Sequence, residues 1–186
     1  MGDTHEKIIF AARELFEKQG FAAATTKEIA CLAGVSEVTL FRHFENKRKL
    51  FEETLHSCIH AYQLGDYLEN DATGDLEHDL KLIAYNIMDT YKKNAPMIRM
   101  MMRDKIRNSV PEMNYMKNEH VSEQKLREYF VKMKSLGKTE ADPEMAVMFY
   151  TSNIIGYLMR FILTNRQSDE DYFAWMLDKV IAVLKS

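Results

Sequence analysis

The stretch TTKEIACLAGVSEVTLFRHFENK, residues 25–47, constrains the fold more than any other part of the chain. Thr25 and Glu28 are spaced as a capping box, in which each side chain meets a free backbone N–H of a helix's first turn. Ile29, Ala30 and Ala33 give that helix a narrow apolar face. Gly34 falls where the chain must turn sharply, a position that favours a residue able to take positive φ. Val35 is the apolar plug after the turn, and Ser36 is placed to cap a second helix. That helix turns Leu40 and Phe44 inward at i, i+4 and leaves Glu37, Val38, Phe41 and Arg42 facing outward.

A helix of about two turns with few inward residues makes little core, so its outer face calls for a partner. The major groove of DNA is wide enough to admit such a helix. Charge gives this idea only local support. The chain carries a net charge of −3 and a pI of about 6.1, whereas a nucleic-acid-binding surface is usually strongly basic. Residues 1–50 carry eight Lys/Arg against seven Asp/Glu, so attraction to phosphate must come from particular residues. Lys27 stands in the first turn of one helix and Lys47-Arg48-Lys49 at the start of another. A solvated helix start is the plainer explanation of the basic trio. Cations there oppose the helix dipole, however, and a docked phosphate would remove that conflict.

The run from Thr25 to Lys47, with Ile29-Ala30, Ala33-Gly34-Val35-Ser36, Thr39-Leu40-Phe41, His43-Phe44 and Asn46-Lys47, resembles the DNA-binding signature of TetR-family transcriptional regulators. The upstream Phe16-Glu17-Lys18-Gln19-Gly20-Phe21 matches as well, so the motifs cover roughly residues 5–52. The resemblance implies an N-terminal helix-turn-helix domain and a divergent helical body. It also implies a homodimer formed through the last two long helices as a four-helix bundle, and an effector cavity among the middle helices.

The pattern along the chain agrees with an all-α fold of about nine helices. Residues 4–19 form a first helix ended by Gly20, with Phe21 returning to the core. Asn46 can cap a helix to about residue 66, with Leu50, Phe51, Leu55, Cys58 and Ile59 on its apolar arc. Helices are expected over 75–93, 96–107 and 112–135, with a break at Pro111. Pro143 opens a helix to about Asn165, and Ser168 or Asp169 opens the last, to about Leu184. The division expected is a helix-turn-helix DNA-binding domain at 1–46 and a helical effector-binding and dimerisation domain at 47–186. The last two long helices are apolar nearly all round, which requires either a deep core or a second buried face. Phe149, Ser152, Gly156, Trp175, Val180 and Leu184 are the residues expected at a dimer interface, the small pair Ser152 and Gly156 permitting close approach.

At the DNA, Arg42 is suited to bind guanine O6 and N7 bidentately, or else a phosphate. Thr39 and His43 match family positions near the backbone or base edges, although His43 could instead cap its helix. Phe41 departs from the tyrosine usual in the family and can press a thymine methyl or a sugar. Val38 shares the outward face. Glu37 suits a helix N-terminus but repels phosphate unless it accepts from a cytosine N4; capping is the role favoured for it. Lys27 and Lys47 are the expected phosphate anchors, with Thr26 a weaker one.

Six of the thirteen methionines, Met97, Met100, Met101, Met102, Met113 and Met116, lie within twenty residues. Core filling is the ordinary explanation, but three in a row cannot share one helix face, and thioethers suit a pocket for apolar ligands. The lining expected is Ile83, Ile87, Met97, Met101, Met116 and Tyr150, with Asn86, Asn153 or Arg103 as polar anchors. The expected partners are therefore double-stranded DNA, a second copy of the chain and a small apolar effector. A DNA-binding protein without an effector, acting architecturally or through a protein partner, is the alternative.

No cofactor, metal or catalytic activity is expected. The chain has no Gly-rich phosphate loop, nucleophile elbow or HExxH motif, and His56 with His60, at i, i+4, lacks a further ligand. Cys31 and Cys58 read as buried structural thiols. No uninterrupted apolar run approaches the length of a membrane span, and MGDTHEKII lacks the basic start of a signal peptide, so the expectation is cytoplasmic.

Overall fold

The computed structural model describes residues 4–59, 67–68, 70–103, 115–164 and 169–186, with side chains for these apart from 59, 103, 115–122 and 163. Among the described residues there are eight helices and no strand. They are α1 (Thr4–Ala23), α2 (Thr26–Ala33), α3 (Glu37–His43), α4 (Lys47–Ile59), α5 (Leu76–Arg103), α6 (Tyr115–Ser135), α7 (Pro143–Thr164) and α8 (Glu170–Lys185). The all-α expectation holds. The break expected at Asn108–Pro111 lies outside the described residues.

The chain packs into two compact units, Met1–Ala61 with Lys93–Tyr115 and Tyr62–Lys92 with Met116–Ser186. This grouping differs from the functional division expected at residue 46, because packing in the first unit draws in α4 and the end of α5. In that unit Ile8, Phe16, Ile29, Leu40, Phe44, Leu50, Phe51 and Leu55 are buried in one cluster. Each such side chain contributes about 1.5–3 kcal/mol on leaving water. Gly20 takes φ 84°, interrupting α1, and this non-helical residue turns Phe21 back onto the core. The Phe21 ring lies 5.0 Å from that of Phe51, which is 5.1 Å from Phe16.

The two helices expected over 75–93 and 96–107 are one, with Pro96 inside α5. A proline in a helix interior costs about 3 kcal/mol, through its missing N–H and a clash with the preceding turn. Tertiary contacts within the unit offset this. Arg13 Nη2 donates to the Lys93 carbonyl at 3.1 Å, and Asn94 Nδ2 donates to the Cys58 carbonyl at 2.5 Å. Met97 and Met100 then join the core cluster.

The second unit is organised around a buried acid. The Asp79 carboxylate, fully buried, accepts bonds from the Thr73 N–H and hydroxyl at 3.0 and 2.8 Å and from the Gly74 N–H at 3.0 Å. The Tyr67 and Tyr129 hydroxyls donate to it at 3.1 and 2.8 Å. Burial pushes this carboxyl's pKa up, but the Thr73, Tyr129 and Gly74 bonds together hold it below its ordinary value. The same contact and burial raise the Tyr129 phenol. Around this anchor Leu80, Ile83, Phe130, Met133, Ile154, Leu158, Phe173, Leu177 and Ile181 are buried. The Tyr150 hydroxyl donates to the Leu80 carbonyl at 2.6 Å, and the Thr139 hydroxyl donates to the Leu184 carbonyl near the end of α8.

Candidate nucleic-acid interface

The helix-turn-helix is built by local hydrogen bonds. At the start of α2 the Glu28 N–H donates to Thr25 Oγ1 at 3.2 Å while the Thr25 N–H donates to Glu28 Oε2 at 2.9 Å, which completes the capping box. Gly34 closes α2 at φ 69°, and Val35 N–H reaches back to the Ala30 carbonyl at 2.9 Å. Ser36 Oγ accepts from the Thr39 N–H at 3.1 Å and caps α3. Leu40 and Phe44 are buried, so the helix is fixed by its inner edge alone. Its outer face carries Val38, 79% exposed, with Phe41, Arg42, His43 and Glu37 also exposed and Thr39 half-buried.

The charged residues around this face are less free than their spacing suggests. Lys27 is exposed. Lys47 is half-buried: its ammonium donates to the Ala22 carbonyl at 3.3 Å and stands 4.6 Å above the Phe21 ring. Desolvation lowers its pKa, partly countered by Glu28. The Glu28 carboxyl is held below its ordinary range by the Thr25 side-chain and backbone bonds. Thr26 Oγ1 donates to Glu37 Oε1 at 2.5 Å, joining the first turns of α2 and α3. His5, not singled out from the sequence, packs its ring 4.9 Å from Phe44 and 6.2 Å from His43, with Nε2 3.1 Å from Glu53 Oε2. Nothing in the local pattern marks it, because its partners lie 38 to 48 positions away.

This geometry coincides with a family match. The family model of bacterial regulatory proteins, tetR family, matches residues 8–54, the span that holds most of α1, all of α2 and α3 and the first part of α4. Over residues 8–54 the chain is TetR-like. It is similar to the HTH-type transcriptional regulator YvkB of Bacillus subtilis, 38% identical over 104 residues, which cover 56% of this chain and 53% of that protein. It is also similar to the HTH-type transcriptional regulator QacR of Staphylococcus aureus, 46% identical over 50 residues, 27% of each chain. These matches span about half or less of the relatives' length. In fold the likeness is nearly complete. A TetR-family regulator from Mesorhizobium loti superposes with a TM-score of 0.76 at 20% identity, over 97% of this chain and 94% of that one. NalD, the secondary repressor of the MexAB-OprM multidrug efflux pump in Pseudomonas aeruginosa, gives 0.68 at 19% identity, over 98% and 96%.

The remaining sites expected from the resemblance are only partly assembled. Val180 and Leu184 point into the second unit's core, 4% and 2% exposed, which the apolar character of α8 on both faces did not reveal. Phe149, Ser152, Gly156 and Trp175 are exposed. Met145, Met148, Tyr172 and Val183 lie exposed on the same two helices. A side chain added at Gly156 would meet nothing within 4 Å.

Of the residues expected to line a pocket, Met97 is buried in the first unit's core and Met101 packs against it. Ile83 and Tyr150 are buried in the second unit, where Ile87 is half-buried. Asn86 and Asn153 donate to carbonyls of their own helices, Leu82 and Phe149, at 2.9 and 2.7 Å. The side chains of Arg103 and Met116 are outside the described residues, as is His60. A surface depression of about 350 Å³ is lined by Glu77, Lys81, Asp178, Ile181, Ala182 and Lys185, a paired set of charges rather than an apolar cavity.

Among the described residues no three His, Cys, Asp or Glu side chains are grouped to hold a metal. Cys58 is buried and its thiol is pushed up by desolvation, but Cys31 is exposed, contrary to the expectation of two buried thiols. It sits on α2's solvent side, opposite Ile29 and Ala30. One stretch, Pro143–Ile162, is long and apolar enough by length and composition to cross a membrane, although polar residues such as Asn153 and Arg160 interrupt its apolar run.

Proposed function

We propose that this chain is a homodimeric repressor that reads a palindromic operator through α3 and is released from it by a small apolar effector. The observation that carries the reading is the outer face of α3, capped at its start and anchored inward by Leu40 and Phe44, with Val38, Phe41, Arg42 and His43 left exposed. An α-helix presenting such residues fits the major groove, and Arg42 has the donors for guanine O6 and N7. Lys27 and Lys47 serve the phosphates, with Thr39 and His43 beside them, while the Thr26 hydroxyl is engaged by Glu37. The functional division follows the sequence, with reading in residues 1–46 and control in 47–186.

The exposed apolar stripes of α7 and α8 support the homodimer. Met145, Met148, Phe149, Tyr172 and Trp175 are each between 40% and 64% exposed, a patch that a second copy would cover. A twofold pair of reading heads matches a palindromic site. The effector part rests on structural neighbours such as NalD, whose name is that of an efflux-pump repressor. A ligand releases DNA only by binding one arrangement better than the other.

Selection of operator sequences from random DNA, repeated with a panel of apolar metabolites, tests the whole reading. Enrichment of an inverted repeat, lost in the presence of one compound, is the expected result. Enrichment that no compound alters would leave an effector-independent DNA-binding protein, and no enrichment would overturn the proposal.

A further inference from the structure

The start of the recognition helix is acidic. Glu37 is the first residue of α3, exposed, and held in place by the Thr26 hydroxyl from the neighbouring helix. Glu28, on the first turn of α2, adds a second exposed carboxylate, which Thr25 keeps ionised. The cations that could cancel them are Lys27, which is exposed, and Lys47, whose ammonium is engaged with the Ala22 carbonyl and the Phe21 ring. A face meant to grip any phosphate would not place a fixed carboxylate at the tip of its reading helix. Capping does not require it, since Ser36 already caps α3.

We propose that Glu37 is a specificity-determining residue that acts by electrostatic exclusion, with Thr26 as its positioning partner. Its carboxylate penalises every register that brings a phosphate or a guanine O6/N7 edge to the start of α3. Only an exocyclic amino group, as on cytosine N4, compensates it by donating a hydrogen bond. Random DNA is thereby held weakly, and the operator is favoured as much by what Glu37 rejects elsewhere as by what Arg42 accepts. This inference rests on the reading of α3 as the DNA-facing helix.

The test compares wild type, Glu37→Gln, Glu37→Ala and Thr26→Val on selected operator and on random duplex, across a salt series. Glu37→Gln keeps an oxygen for the Thr26 hydroxyl and removes only the charge. It should tighten random-DNA binding by about threefold or more, as expected for one unit charge within ~6 Å of a phosphate in water, and steepen the salt dependence. Base preference at one position of each half-site should relax. Thr26→Val, which keeps the charge but frees it, should weaken that preference without tightening random binding. Unchanged random affinity and unchanged preference in Glu37→Gln would overturn the exclusion role while leaving DNA binding intact. Equal affinity losses in Glu37→Ala and Thr26→Val, with Glu37→Gln like wild type, would also overturn it and mark the pair as a strut. A wild type that enriches no sequence would refute the DNA-binding reading, and the exclusion role with it.

Discussion

Replacing Gly156 by leucine separates a free helix face from an interface, because the two predict opposite signs. Within one chain the substitution is favourable. Gly156 is an exposed residue inside α7 and an added Cβ meets nothing within 4 Å, so only helix propensity changes. Leucine exceeds glycine in a helix interior by about 0.8 kcal/mol, and a chain of this size should then melt about 2–3 °C higher. If a second copy packs its own α7 against this face, the leucine enters occupied space. Overpacking costs about 1–3 kcal/mol for each insertion, and a twofold axis brings both copies into the same interface. The combined penalty of about 2–6 kcal/mol corresponds to a dimer Kd raised about 30-fold to about 20,000-fold.

Sedimentation velocity from nanomolar to tens of micromolar, with thermal unfolding of the same samples, reads both effects. The expected result is a dimer for wild type and a shift towards monomer for Gly156→Leu, with operator affinity falling in parallel. A variant that stays dimeric with the wild-type Kd while melting higher would show that α7 does not carry the contact, and the dimer would have to be sought elsewhere.

Other outcomes follow from contacts already described. Asp79→Asn places an amide N–H against donors, and should cost the second unit about 3 kcal/mol at neutral pH, in the range for a broken buried network. Because the folded Asp79 carboxyl titrates below its ordinary value, its stabilisation is complete above pH ~4 and is lost as pH falls through the folded value. Urea unfolding from pH 3 to 7 should therefore show a steeper acid limb in wild type than in the variant, and parallel curves would contradict this. Lys47→Ala should weaken operator and random DNA alike, lower the salt slope by about one unit and reduce the head's melting temperature, whereas Arg42→Ala should relax preference at one base pair with little change in stability. Equal losses on both DNAs for both variants would dismiss that division of labour. Native alkylation at neutral pH should label one thiol per chain, abolished by Cys31→Ser, while Cys58 reacts only after unfolding.

What could be read from the sequence was what depends on neighbours in the sequence. Thr25 with Glu28, Gly34 and Ser36 act within one helical turn, and each performs the local role its spacing announced. Asp169 likewise caps α8. What could not be read depends on residues brought together by folding. Pro96 reads as a helix boundary until Arg13 and the core around Met97 and Met100 are present to offset its cost. Val180 and Leu184 belong to a helix apolar all round, whose periodicity cannot say which face turns inward. The Thr26–Glu37 and Lys47–Phe21 contacts join residues 11 and 26 positions apart, and no pairwise rule links such types at such distances. Met97 and Met100 likewise serve a core that their spacing alone does not locate.

The tucked Lys47 has a consequence for how such a regulator would divide its time. A bacterial chromosome offers millions of wrong sites, and a protein with free lysines spends most of its copies on them. A head whose Lys47 is partly engaged by a carbonyl and an aromatic ring, beside two carboxylates, would hold random DNA less tightly than one with a free lysine there. Fewer molecules per cell would then suffice to keep an operator occupied, and that occupancy would follow changes in their number closely.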